Sequence, residues 1–310
     1  MASVVFRTII PFLLLIGAGL LSRKTGILKS GDPRVLSAYL YYFALPALLF
    51  VNTAETSFTS ATLRYMAAGV IPVLLALIIL VLAHAIVRFT RDLLYLLILS
   101  SVFGNIAFFG IPFVMFAFPT REAERLGILA VSAIGIVSVL ISITTLELTK
   151  LEQATMWTRL RRVLARLCRN PLILAILGGF LAAVARAKIP SVLSSPLHML
   201  GNTTATVAIF TLGASLYGRK YTNIFYALKL SLLRAVFLPL LALLAVTLMN
   251  LPPLQKAVLV LMHAMPVAIA MIIMSERYEF QQDTVASLIL VSSIGAILYL
   301  NLWLFLIGYR

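Results

Sequence analysis

Apolar residues in this chain come in long unbroken blocks, not in alternation with polar ones. Ten blocks stand out: 8–22, 34–52, 65–87, 93–118, 126–149, 170–186, 193–216, 224–250, 255–275 and 284–308. A helix needs about 20 apolar residues to cross a bilayer at ~1.5 Å of rise per residue. A transmembrane barrel would instead show short alternating segments. The pattern therefore predicts an all-α integral membrane protein with ten transmembrane helices. Composition agrees: 62% of the 310 residues are hydrophobic and 11% charged, with mean hydropathy +1.07. No soluble domain of this size could keep that much apolar surface out of water.

The net charge of +15 raises the question of a nucleic-acid partner, and the placement of the charges answers it. With the N-terminus outside, the inside loops hold Arg23, Lys24, Lys29, Arg34, Arg88, Arg91, Lys150, Arg159, Arg161, Arg162, Arg166, Arg169, Arg219, Lys220, Lys229 and Arg277. The outside segments hold Arg7, Arg64, Arg121, Arg125, Arg186, Lys188, Lys256 and Arg310. A two-to-one bias of this kind orients membrane proteins. It predicts both termini outside a cell membrane and needs no nucleic acid to explain it.

The longest inside loop, 151–169, carries the densest positive charge. Arg159, Arg162, Arg166 and Arg169 recur at helical spacing. Either a basic amphipathic helix lies there on anionic lipid, or the segment is a linker that sets topology. The chain thus divides into a first half, 1–150, the basic linker, and a second half, 170–310. The first apolar block has no small-residue cleavage site after it and is expected to remain as a span. The single cysteine, Cys168, excludes an internal disulfide and falls in the expected cytoplasmic linker.

Five blocks on each side of a linker suggest duplication. PFLLLIGAGLL begins at Pro11 and PLILAILGGFL at Pro171, which brings Gly19 into register with Gly179. An odd number of spans per half forces opposite orientations, the inverted repeat of many secondary transporters. If one half has an interrupted span, the other should have one at the matching place. The fourth block contains GNIAFFGIPFV at 104–114 and the ninth contains HAMPVAIAMII at 263–273. Proline removes a backbone donor and obstructs the turn before it.

Each proline is expected to open a break, freeing carbonyls before it and amides after it, at Phe113, Val114, Val267 and Ala268. Such groups are tolerated at membrane depth only in a protein-lined or wet cavity. If the breaks cross near the midplane, two electropositive half-helix ends meet there and favour an anion. Asn105 stands two turns before Pro112 and is placed to donate to the anion or to bridge the breaks. The candidate substrate residues are Asn105, Gly110, Ile111, Pro112, Phe113, Met265, Pro266, Val267 and Ala268.

These motifs resemble the auxin efflux carrier family. The residues that carry the resemblance are N-x-x-x-x-G-I-P at 105–112, M-P-x-A at 265–268 with E-R-Y at 276–278, FALPALLF at 43–50 and the last span at 287–307. The family includes plant PIN exporters and bacterial carriers of small organic acids. The resemblance implies two inverted five-helix repeats with broken, crossing helices 4 and 9. It implies a scaffold of spans 1, 2, 6 and 7, often a homodimer platform, and a transport domain of spans 3–5 and 8–10. It also implies elevator-like movement of an organic anion. The long hydrophilic central loop of the plant members is missing, which points to a carrier of the prokaryotic type.

Other polar residues bear on coupling. Carboxylates inside a membrane usually mark cation or proton sites. Here only Glu147 approaches the membrane interior, near the inner end of span five. His263, one turn before Pro266, is a candidate titrating group or a satisfied core residue. Ser138, Ser142 and Ser292 either line a pocket or serve helix contacts. Arg234 in span eight is either a counter-ion to the substrate or a snorkelling residue close to the inner boundary, and its ten-residue distance from that boundary favours snorkelling. His84 and His198 are isolated, so no metal or other cofactor is expected. No nucleophile-and-base set appears, so no enzyme is expected. The expected activity is transport of a small organic anion through lipid. A proton- or sodium-coupled symporter and a non-transporting receptor of the same fold are the alternatives.

Overall fold

The computed structural model describes residues 2–150, 157, 161, 164–165, 167–187, 189–218 and 221–308, with the side chains of 2–9, 150, 273, 276 and 277 left aside. Most of the basic face expected over 151–169, including Arg159, Arg162 and Arg166, lies outside the described residues, as do the side chains of Glu276 and Arg277.

In the first half, the helices are α1 (Ala2–Lys24), α2 (Asp32–Tyr39), α3 (Leu45–Ala54), α4 (Ser60–Val87), α5 (Arg91–Val102), α6 (Ile111–Ala117) and α7 (Arg121–Lys150). After the linker follow α8 (Pro171–Val184), α9 (Ser191–Asn202), α10 (Thr204–Leu216), α11 (Ile224–Leu248), α12 (Pro253–Ala264), α13 (Ala270–Tyr278) and α14 (Gln282–Leu306). No strand occurs among the described residues, apart from one isolated bridge pair between Gly104 and Val267.

The protein is an all-helical, multi-pass membrane protein. Among the described residues, six helical segments are long and apolar enough to cross a membrane: Asp32–Ala54, Ser60–Val87, Arg121–Thr149, Ser191–Leu216, Ile224–Leu248 and Gln282–Leu306. The remaining expected spans fall on α1, the α5–α6 pair, α8 and the α12–α13 pair. Helices across the protein present apolar outward faces: Leu14 of α1, Leu82 of α4, Leu244 of α11, and Leu298 and Leu302 of α14 are all more than half exposed. In water such a surface would aggregate, and in lipid it is solvated.

Local signals set the helix ends. Thr59 caps α4 in a reciprocal capping box with Thr62. Asn170 Oδ1 accepts from the amides of Leu172 and Ile173 at the start of α8, leaving Pro171 in the first turn, where its missing donor is harmless.

Two prolines are accommodated in a way that the apolar pattern alone does not foretell. A π-helical turn, Leu40–Ala44, precedes Pro46, and a second, Ile106–Gly110, precedes Pro112. In each the residue before the proline donates five residues back, Leu45 to Leu40 and Ile111 to Ile106. The widened turn makes room for the ring, so the helix continues through the proline.

Helix pairing rests on glycine. A Cβ on Gly19 of α1 would lie 2.0 Å from Phe210 O and 2.8 Å from Ala214 N of α10. A Cβ on Gly179 of α8 would lie 2.6 Å from Phe50 O and 3.2 Å from Ala54 N of α3. The backbones touch at both places, as small residues allow in membranes. Gly19 and Gly179, Phe50 and Phe210, and Ala54 and Ala214 share one offset. The first helix of each half packs on the second span of the other.

Gly19→Ala should therefore lower stability by roughly 1–3 kcal/mol, because backbone and not a mobile side chain blocks the methyl. Gly17→Ala, with nothing within 4 Å of its Cβ position, should leave the melting temperature unchanged or slightly raised. Thermal melts in detergent read both; equal melting points for the two variants would contradict the close-packing account.

Candidate substrate-binding site

α5 stops at Val102 and α12 stops at Ala264, both in the buried interior. The chain that follows each is not helical, and the two segments run antiparallel against each other. Asn105 N donates to Pro266 O at 2.7 Å, and Ala268 N donates to Phe103 O at 3.0 Å. Gly104 and Val267 form the bridge pair between them. Val267 N donates to Ser292 Oγ of α14 at 3.2 Å. A buried peptide without partners is costly. Here two unwound segments, far apart in sequence, satisfy each other, and Pro266 stands where no amide has to be satisfied.

Helix then resumes on the far side of each segment. Phe109 N and Gly110 N both donate to Asn105 O, at 3.1 and 3.0 Å. Met271 N reaches Ala268 O at 3.0 Å and Ile272 N reaches Ile269 O at 2.9 Å. The crossing thus gathers four helix ends. Two are electropositive starts, at Ile106 and Ala270; two are electronegative finishes, at Val102 and Ala264.

Three expectations need correction. The unwound segment that meets Pro266 is Phe103–Asn105 and not the stretch beside Pro112, because the π-turn carries the helix through Pro112. The amides of Phe113 and Val114 consequently lie within a continuing helix. The amides of Val267 and Ala268 are occupied by Ser292 and Phe103. The electropositive end in the first half is therefore formed at Ile106–Phe108, the first residues after the break.

Arg234 is the third correction. It closes the third turn of α11, ten residues from Ile224, about 15 Å along the axis at 1.5 Å per residue. A snorkelling side chain would reach outward to the interface, and this one turns inward. The side chain is 1% exposed. Its Nε donates to Met265 O at 2.5 Å, and its Nη1 donates to Ser100 O at 3.2 Å and to Ser101 O. One guanidinium thus ties together the finishes of α5 and α12. Burying a lone cation costs several kcal/mol. Charge-assisted bonds of about 1.5–3 kcal/mol each to carbonyls at helix finishes are of the size needed to offset it. The residue type was visible in the sequence; its partners, two of them more than a hundred residues away, were not.

The other candidates are placed as follows. Asn105 is 3% exposed, and its Nδ2 has no hydrogen-bond partner. Gly110 presses on α12, where a Cβ would lie 2.7 Å from Met262 Sδ and 3.2 Å from Met265 Cγ. Ile111, Pro112 and Phe113 are buried. The Phe113 ring joins Phe109 and Phe116 around Phe12 of α1, with centroids 5.9, 4.8 and 5.8 Å from it. His263 is buried at the end of α12. Ser142 Oγ is bound to Ser138 O within α7, and Ser138 Oγ has no partner. Glu147 is buried near the end of α7, where the Tyr278 hydroxyl donates to Oε1 at 2.8 Å. Among the described residues no cluster of three or more His, Cys, Asp or Glu could hold a metal.

Gly104 was not singled out by its motif. A Cβ there would lie 2.0 Å from Arg234 Nη2 and 3.1 Å from Cζ. Gly104→Ala should push the guanidinium off its carbonyls and destabilise the protein by roughly 1–3 kcal/mol. A melt of the purified variant equal to the wild type would show that Arg234 is not held there.

With this geometry established, the chain can be set beside known proteins. The profile of the membrane transport protein family matches residues 4–304. An uncharacterized transporter of Methanocaldococcus jannaschii is 24% identical over 298 residues, covering 94% of this chain and 95% of that protein. The match runs through both halves and both interrupted segments, and the chain belongs to the membrane transport protein family, that of the auxin efflux carriers.

Proposed function

We propose that this membrane transporter is a secondary carrier of a small organic anion bearing a carboxylate. The observation that supports this most is the unpartnered, buried Nδ2 of Asn105, set where the second half-helix begins. A buried amide donor without a partner is costly, and a carboxylate would supply one. Arg234 occupies the electronegative finishes, so the ends left for a ligand are the electropositive starts at Ile106 and Ala270. The family match supports transport, and the substrate class is argued from these donors.

The same reading takes the chain as ten crossings in two inverted five-helix repeats, with both termini outside the cell membrane. The shared offset of the two glycine contacts supports the repeat, and so does the pairing of one unwound segment from each half. The packing of α1 on α10 and α3 on α8 fits a scaffold of spans 1, 2, 6 and 7. Spans 3–5 and 8–10 would form the mobile domain, sliding past the Phe12 cluster in an elevator-like motion. Two copies would join through the scaffold. Glu147 is engaged with Tyr278 away from the crossing, which favours an uncoupled carrier over a proton- or sodium-driven one.

Reconstituted into liposomes, the protein should take up radiolabelled small carboxylates and leave neutral and cationic analogues outside. Asn105→Ala should raise the apparent KM about tenfold, the loss of one charge-assisted hydrogen bond, with an unaltered melting temperature. Uptake confined to uncharged or cationic compounds, or an unchanged KM in the variant, would count against the assignment.

A further inference from the structure

In transporters built on discontinuous helices, the carbonyls at unwound segments and half-helix finishes are where a driving cation such as Na⁺ is held. In this protein the carbonyls of Ser100, Ser101 and Met265 converge in that way, from both interrupted helices, and all three accept from Arg234. Hard cations are bound by sets of oxygens of this kind. We propose that Arg234 is a tethered cation that fills the carbonyl cage at the crossing, so that the carrier needs no Na⁺ to assemble its binding site. The inference rests on the crossing being the transport site.

Several features make the arrangement a built one. The guanidinium is buried, and its hydrogen bonds go to the backbone oxygens of Met265, Ser100 and Ser101, with no carboxylate among them. Gly104 leaves its Cβ position to Nη2. The neighbouring Ala235 carbonyl accepts from Trp303 Nε1 of α14 at 2.8 Å, which anchors this turn of α11 on its other side. A permanent charge on a side chain differs from a bound ion in one respect: it cannot leave during the transport cycle. A site completed by Na⁺ forms only when Na⁺ is present and couples substrate movement to the ion gradient. A site completed by Arg234 is complete at all times, and its carrier is driven by the substrate gradient and the membrane potential.

Melting temperatures of the purified protein in detergent test this without any substrate. They are measured in N-methylglucamine chloride with Na⁺, Li⁺, K⁺ or low-millimolar guanidinium added at constant ionic strength. Wild-type protein should show no saturable shift with any of them. Arg234→Ala should melt earlier in N-methylglucamine and recover saturably with Na⁺ or guanidinium. Arg234→Lys, which keeps the charge, should stay indifferent to added cation, whereas Arg234→Gln, which keeps donors without charge, should respond.

A saturable Na⁺ shift in the wild type would overturn the proposal. So would an alanine variant that folds and ignores every cation. If the alanine variant does not fold, equal behaviour of the lysine and glutamine variants would overturn it just as well. A failure to find a transported carboxylate would strike the proposed function and leave these melts standing.

Discussion

Two short stretches of backbone, Phe103–Asn105 and Pro266–Ala268, have no helix to belong to and lie where lipid and packed side chains offer no water. Each supplies the hydrogen bonds that the other lacks, through Asn105 N to Pro266 O and Ala268 N to Phe103 O. At this depth an unpaired peptide group would cost several kcal/mol. Neither interruption can exist alone, and everything near them is arranged so that they meet. Ser292 takes the one amide left between them. Gly104 keeps a side chain out of the space above the crossing. Pro266 contributes a carbonyl and no amide.

The crossing also sorts charge. Four helix ends in a small volume would repel as much as attract if all were left bare. Arg234 gathers the two electronegative finishes around one guanidinium, and the electropositive starts remain. Asn105 adds a donor on the same side of the break as one of those starts. The crossing therefore has a built-in polarity, set by its helix ends and one fixed cation. This polarity follows from placing one permanent cation among dipoles and requires no carboxylate at the crossing.

Around the crossing, the halves are interlocked. α1 of the first half lies on α10 of the second, and α8 of the second lies on α3 of the first, each through a glycine that lets backbone touch backbone. Contacts this close resist sliding. The contact between α1 and the segment Ile106–Ala117 is different in kind: the Phe12 ring meets those of Phe109, Phe113 and Phe116 edge to face or tilted. Rings can re-pack over one another more easily than two backbones in direct contact. The proposed elevator-like movement would use this difference, with the glycine-joined helices as the fixed part and the aromatic contact as the place of slip.

Apolar run lengths determined by themselves that this chain is a helical membrane protein, because a bilayer admits few other backbones. Sequence also located the two regions of interruption and the residues Asn105 and Pro266 that meet there, since proline, glycine and amide side chains are conspicuous within an apolar run. It misplaced the first break by several residues, because a proline forbids one hydrogen bond but does not say whether the helix ends or widens into a π-turn. That choice depended on a peptide more than 160 residues away being present to pair with residues 103–105. Arg234 was visible only as a charge in a span; its depth and its three carbonyl partners came from how α11 packs against the ends of two other helices. Local spacing sets which groups a segment leaves unsatisfied, and only the tertiary structure decides which distant groups satisfy them.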